Sequence, residues 1–199
     1  MAHSLSSRWT IRPRTGSANA WRRSLPLPSR RSRPVTPEPY FFAQGPNFSF
    51  GGDIVDWPDM SVRQLRATFE QYMAVFNRFE RLPLPVVAAV QGLCFGGGLE
   101  LAIRADMIVA AESARFGHPE QTLGIVTLLG GIYRIAERAG RSFASEWALT
   151  SEQIPAATMM KHGVVNRVVA DSELEQSARQ RRCARPEPPP ARTPHKRLC

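Results

Sequence analysis

Between residues 61 and 81, apolar side chains recur at helical spacing: Leu65, Phe69, Tyr72, Met73 and Phe76 share one face. Ser61 is suited to cap the start of this helix and Leu82-Pro83 to stop it. The aromatic stripe is read as core packing. The pattern then changes. Residues 86–90 and 107–111 are short, continuous apolar runs, as expected of strands buried on both faces. A short helix over 99–105 between them makes a strand–helix–strand order suited to a parallel crossover. Helical spacing returns over 132–139, 143–149 and 156–162, and 164–169 reads as a last strand. Pattern alone gives an α/β fold.

The segments outside this region have no sustained apolar period. Residues 1–40 hold eight arginines against one acid, and residues 179–199 hold seven bases against one acid. The formal charge of +9 therefore sits in the flanks, and the middle of the chain is mildly acidic. That distribution argues against a nucleic-acid module, and no base-stacking aromatic motif accompanies it. RNA binding through the arginine-rich ends is the reading it leaves open. Both flanks are rich in Arg, Pro and Ser and are expected to be disordered or altered in sequence. The division of the chain is thus 1–45, a domain over 46–178, and a basic proline-rich tail over 179–199. Cys94, Cys183 and Cys199 make no disulfide framework and no metal-ligand spacing. No apolar run reaches the length of a membrane span. The default location is cytoplasmic, or the mitochondrial matrix if the head is a transit peptide.

Candidate chemistry lies around the first strand pair. Gly96, Gly97 and Gly98 open a helix, which leaves backbone amides without internal partners. Glu100 follows one turn in, and Glu120 ends the loop after the second strand, behind Pro119. Free amides stabilise negative charge, and two carboxylates can handle protons and water. Taken alone, Gly51 and Gly52 read as a tight turn, Glu100 as an acid favoured at a helix start, and Glu120 as a solvated loop acid. His118 reads as a loop histidine, Asp106 as a hydrogen-bonding structural acid, and His162 as the end of a helix.

Ordered blocks carry a stronger message. F-S-F-G-G-D occupies residues 48–53, P-V-V-A-A-V-Q-G residues 85–92, G-G-G-L-E-L-A residues 96–102 and A-R-F-G-H-P-E residues 114–120. Together with Gly130-Gly131 and K-H-G-V-V-N-R-V-V at 161–169, they resemble the crotonase, or enoyl-CoA hydratase/isomerase, family over about residues 46–178. The resemblance implies a spiral of strand-strand-helix repeats, here expected to be incomplete at both ends. It implies that the amides of Gly52 and Gly97 form an oxyanion hole for a thioester carbonyl. Glu100 and Glu120 would be the catalytic carboxylates, with Glu120 as the acid. Phe50, Gly51, Asp53 and Ile54 would border the first amide and the coenzyme A, with Phe95, Gly96, Pro119 and Leu128 around the acyl group. The implied activity is addition of water to a trans-2-enoyl-CoA. Double-bond isomerisation and a catalytically inactive truncated homologue are the alternatives. No metal and no separate cofactor is expected, coenzyme A being part of the substrate, and the family habit is a homotrimer or hexamer. One departure stands out: Thr127-Leu128-Leu129 replaces smaller residues before Gly130-Gly131, which is expected to narrow the pocket and to strain any of them held at positive φ.

Overall fold

The computed structural model describes residues 10–11, 40–43 and 45–180. The expectations for the arginine-rich head and the proline-rich tail fall largely outside the described residues. Strands β1 (Thr10–Ile11), β2 (Tyr40–Ala43), β3 (Val87–Val90), β5 (Met107–Ala111) and β8 (Arg167–Val169) form one all-parallel sheet in the order β1-β2-β3-β5-β8. Strands β4 (Leu93–Phe95), β6 (Arg115–Gly117) and β7 (Ile154–Pro155) form a second, smaller sheet in the order β4-β6-β7. In it, β4 and β6 are parallel and β6 and β7 antiparallel.

The chain alternates between the two sheets. β3 feeds β4 and then helix α2 (Gly97–Ala102). β5 feeds β6, then a 3-10 turn (Pro119–Leu123) and helices α3 (Gly131–Ala139) and α4 (Arg141–Thr150). Each repeat thus gives one strand to each sheet before a helix, which is the expected spiral. β7, α5 (Ala156–Lys161), β8, a 3-10 turn (Asp171–Glu173) and α6 (Leu174–Gln180) complete the order.

Within the first sheet β3 and β5 are buried on both sides, which is why they are continuous apolar runs. Ala88, Val90, Ile108 and Ala110 face the main core with Phe48, Leu99, Phe116, Ile135 and Trp147. Val87, Ala89, Val109 and Ala111 face the other way, where Leu174 and Ala178 of α6 cover them. The apolar pattern had not revealed α6, nor β4, β6 and β7, which are two or three residues long and too short to show a period. Within 164–169 only β8 is strand, and the helix expected at 99–105 starts earlier, at Gly97 itself.

Helix α1 (Val62–Glu80) matches expectation closely. Ser61 accepts from the Gln64 amide, and the Gln64 side chain accepts from the Ser61 amide at 2.8 Å, a reciprocal capping box. Asp106 is structural as expected, its carboxylate accepting from the Val86 amide at 2.8 Å. His162 ends α5 and stacks on Phe143 with ring centroids 4.0 Å apart.

The switch from one sheet to the other depends on Gly92, at φ 54°. A Cβ there would collide with the Pro46 carbonyl oxygen and lie 2.6 Å from Asn47 Oδ1. Gly92→Ala is therefore expected to destabilise the protein by more than about 1 kcal/mol. The readout is a lower denaturant midpoint at unchanged slope.

Candidate active site

A cleft of about 110 Å³ opens between α1 and the glycine turn that starts α2. Its floor is backbone. Gly51, at φ 102°, presses the loop before it against that turn: a Cβ on Gly51 would stand 3.2 Å from the Phe95 carbonyl oxygen and 3.3 Å from the Gly97 nitrogen. A Cβ on Gly97 would in turn lie 3.6 Å from the Gly52 nitrogen. The amides of residues 52 and 97 are thus close neighbours on the cleft lining, and neither donates to an acceptor among the described residues. Gly98 has no room for a side chain, because a Cβ would run into Ser49. Ser49 Oγ accepts from the Gly51 amide at 3.1 Å, so the close approach also shapes the loop.

Both carboxylates reach this cleft. Glu100, on α2, is buried, and its Oε1 accepts from the amides of Leu129 at 2.9 Å and Gly131 at 3.0 Å. Burial pushes its carboxyl pKa up. The Gly131 amide, nearby His118 and the Leu129 amide offset part of that rise, and the Glu120 charge adds to it. Glu120 is buried as well, contrary to the solvated loop acid that its position alone suggested. Its Oε1 lies 3.2 Å from where a Cβ on Gly96 would stand, and its Oε2 has no hydrogen-bond partner among the described residues.

The strap carrying Leu129 and Gly131 is held from behind. Arg104 Nη2 donates to the Leu129 carbonyl oxygen at 2.5 Å, and Arg134 Nη1 donates to the Gly130 carbonyl oxygen at 3.0 Å. Glu80, the last residue of α1, pairs with both arginines, at 2.7 Å to Arg104 and 2.6 Å to Arg134. Sequence reasoning missed this cluster. The available signal was Arg104 itself, a charged residue one turn after Glu100 in an otherwise apolar segment.

The remaining candidate positions divide. Phe50, Gly51, Ile54, Gly96, Pro119 and Leu128 line the cleft with the two carboxylates and the two amides. Asp53 does not; its Oδ1 accepts from the Val55 amide at 3.3 Å. Phe95 is also outside the lining, its ring packed over Gly117. Phe69, Tyr72 and Phe76 of α1, read from the sequence as core, do line the cleft, and Trp57 stands edge-to-face on Phe69 with ring centroids 5.0 Å apart. They pack inward and wall the site at once, which helical spacing cannot distinguish from core. The expected strain at residues 127–129 is absent: Gly130, at φ 83°, takes the left-handed position, and Leu128 and Leu129 border the cleft without it. His118 stands in the loop between β6 and the 3-10 turn, as read from the sequence, and is fully buried there, its ring 4.8 Å from that of Trp147.

Comparison with known proteins shows the family and the fold. The family profile described as enoyl-CoA hydratase/isomerase matches residues 43–190. A short-chain-enoyl-CoA hydratase of Clostridium acetobutylicum is 37% identical over 134 residues, which is 67% of this chain and 51% of that protein. A mevalonyl-coenzyme A hydratase of Beauveria bassiana is 40% identical over 137 residues, 64% of this chain and 48% of that one. Among solved structures, an enoyl-CoA hydratase from Bacillus anthracis superposes with a TM-score of 0.68 at 33% identity, covering 71% of this chain and 55% of its own. The chain belongs to the enoyl-CoA hydratase/isomerase family. It spans about half the length of the curated relatives it matches.

Proposed function

We propose that this chain is an enoyl-CoA hydratase-like lyase that adds water to a trans-2-enoyl-CoA thioester. One observation carries the reading: two backbone amides without acceptors among the described residues adjoin each other on the same cleft that two buried carboxylates line. The names of the similar hydratases point the same way.

The thioester oxygen sits between the amides of Gly52 and Gly97. As a water oxygen bonds to the β-carbon, the double-bond electrons move through the α-carbon onto the thioester oxygen, giving an enolate that the amides stabilise. Glu100 takes the proton that the water loses. Its burial favours that step, because a base of raised proton affinity is better matched to neutral pH. Glu120 gives a proton to the α-carbon as the carbonyl re-forms. Each turnover leaves the proton on the other carboxylate, and exchange through the cleft restores the starting state. Phe69, Tyr72 and Phe76 offer the acyl chain an apolar wall, with Trp57 beside them. No group beyond coenzyme A is needed in this scheme. Assembly of subunits follows the resemblance alone.

The test is turnover of the full chain on trans-2-enoyl-CoA and 3-enoyl-CoA esters of several lengths, followed by the ultraviolet absorbance of the conjugated thioester and by product mass. The expected result is loss of that absorbance and a gain of one water on the 2-enoyl esters. Conversion of 3-enoyl to 2-enoyl esters without water gain would replace this reading by the isomerase; no turnover and no binding of either ester would leave an inactive homologue.

A further inference from the structure

His118 is buried, yet neither ring nitrogen has a hydrogen-bond partner among the described residues. Oε2 of Glu120, also buried, is in the same condition. These unsatisfied groups face each other: Nδ1 of His118 is 3.6 Å from Oε2 of Glu120, just beyond hydrogen-bond length. Leaving both atoms unpaired costs the full desolvation of each, whereas a shift of a few tenths of an ångström joins them. Contacts of this kind are often long in unliganded active sites and tighten when substrate binds.

We propose that His118 is a positioning residue for Glu120, donating its Nδ1–H to Oε2 and thereby aiming Oε1 into the cleft beside Gly96. The proposal rests on the reading of Glu120 as a proton-transferring group. The chemistry of imidazole fixes the tautomer. A neutral ring has one N–H, and of its two nitrogens Nδ1 is the one with an acceptor close by. The ring itself is wedged in place. Trp147 lies against it, and a Cβ on Gly131 would stand 2.9 Å from its Cε1, so it has little freedom to turn away from Glu120. The two oxygens of Glu120 then do different work: Oε2 is anchored, and Oε1 meets the substrate. When the acid releases its proton to carbon, the same N–H stabilises the carboxylate left behind.

Two measurements on the full chain test this. Imidazole 15N NMR, with the His118 signals assigned by their loss in His118→Asn, is expected to show a protonated Nδ1 and a bare Nε2. In Glu120→Leu the proton should move to Nε2. A proton on Nε2 in the unsubstituted chain overturns the proposal, and this readout needs no turnover. In kinetics, His118→Leu should lower kcat by roughly 10–100-fold, the loss of a hydrogen bond to a charged group, with KM little changed. His118→Asn, which can place an N–H where Nδ1 stood, should recover most of kcat. His118→Gln, whose amide reaches the Nε2 position, should not. Equal kcat in all three variants and the parent overturns the proposal even if all of them fold. Glu120→Gln, assayed in parallel, separates the two readings: full turnover there removes Glu120 from the chemistry, whereas its loss beside an unaffected His118→Leu sinks the histidine's role alone.

Discussion

Replacing Glu100 by Gln is expected to lower hydration of a trans-2-enoyl-CoA by about 10²–10⁴-fold and, at neutral pH, to raise thermal stability. The first effect follows from removing the proposed base. Gln keeps an oxygen for the amides of Leu129 and Gly131, so the strap stays in place while proton uptake is lost. The second effect follows from the direction of the pKa shift. Burial raises the folded-state pKa of Glu100 above its unfolded value. At pH below the unfolded value, both states hold the proton, and the group's contribution to stability is fully present. As pH rises through the folded value, that contribution is lost, because a buried carboxylate must ionise. A neutral amide escapes this cost. The gain in Tm of Glu100→Gln over the parent should therefore grow as pH rises above the ordinary glutamate range and shrink towards about pH 4, within that range. Unchanged turnover, or a Tm gain that grows as pH falls, would count against the assignment.

A main-chain donor can be tested as directly as a side chain. Gly97 is the first residue of α2, where proline fits the helix because its missing N–H has no intrahelical role. Gly97 also lies outside the positive-φ region, and a Cβ there meets the Gly52 nitrogen only at ordinary contact distance. Gly97→Pro thus deletes one amide and puts ring carbon in its place. A loss of about 10²–10³-fold in kcat is expected, the usual effect of removing one oxyanion donor. Circular dichroism and the unfolding midpoint should stay near those of the parent. A variant that folds and turns over normally would show that the amide of residue 97 holds no developing charge.

The proposed site residues were read from the family resemblance, and the glycine pattern that carries it has a physical reason. An oxyanion site made of backbone needs glycine wherever chains approach within contact distance or φ is positive. Gly51, Gly96 and Gly98 meet those conditions, and that leaves a pattern which neighbouring residues cannot hide. Glu100 and Glu120 were singled out through the family resemblance, since taken alone one reads as a helix-start acid and the other as a loop acid. The cleft wall was not legible, because Phe69, Tyr72 and Phe76 satisfy the core and the cavity with one helical face. The burial of His118 was not legible for a related reason: a loop position says little about burial, and the loop here is folded under α4. The pairing of Glu80 with Arg104 and Arg134 joins residues far apart in the chain, and no local period marks it.

That pairing has a consequence for how substrate preference can change. Glu80 closes the helix whose aromatic face walls the cleft, and through two guanidinium groups it grips the strap that holds Glu100. In the proposed enzyme, sliding this helix outward to admit a bulkier acyl group would drag on Glu100. Room for a different chain is therefore gained by trimming or enlarging individual rings on the helix while its terminal anchor stays put, so that selectivity drifts and proton transfer is left undisturbed.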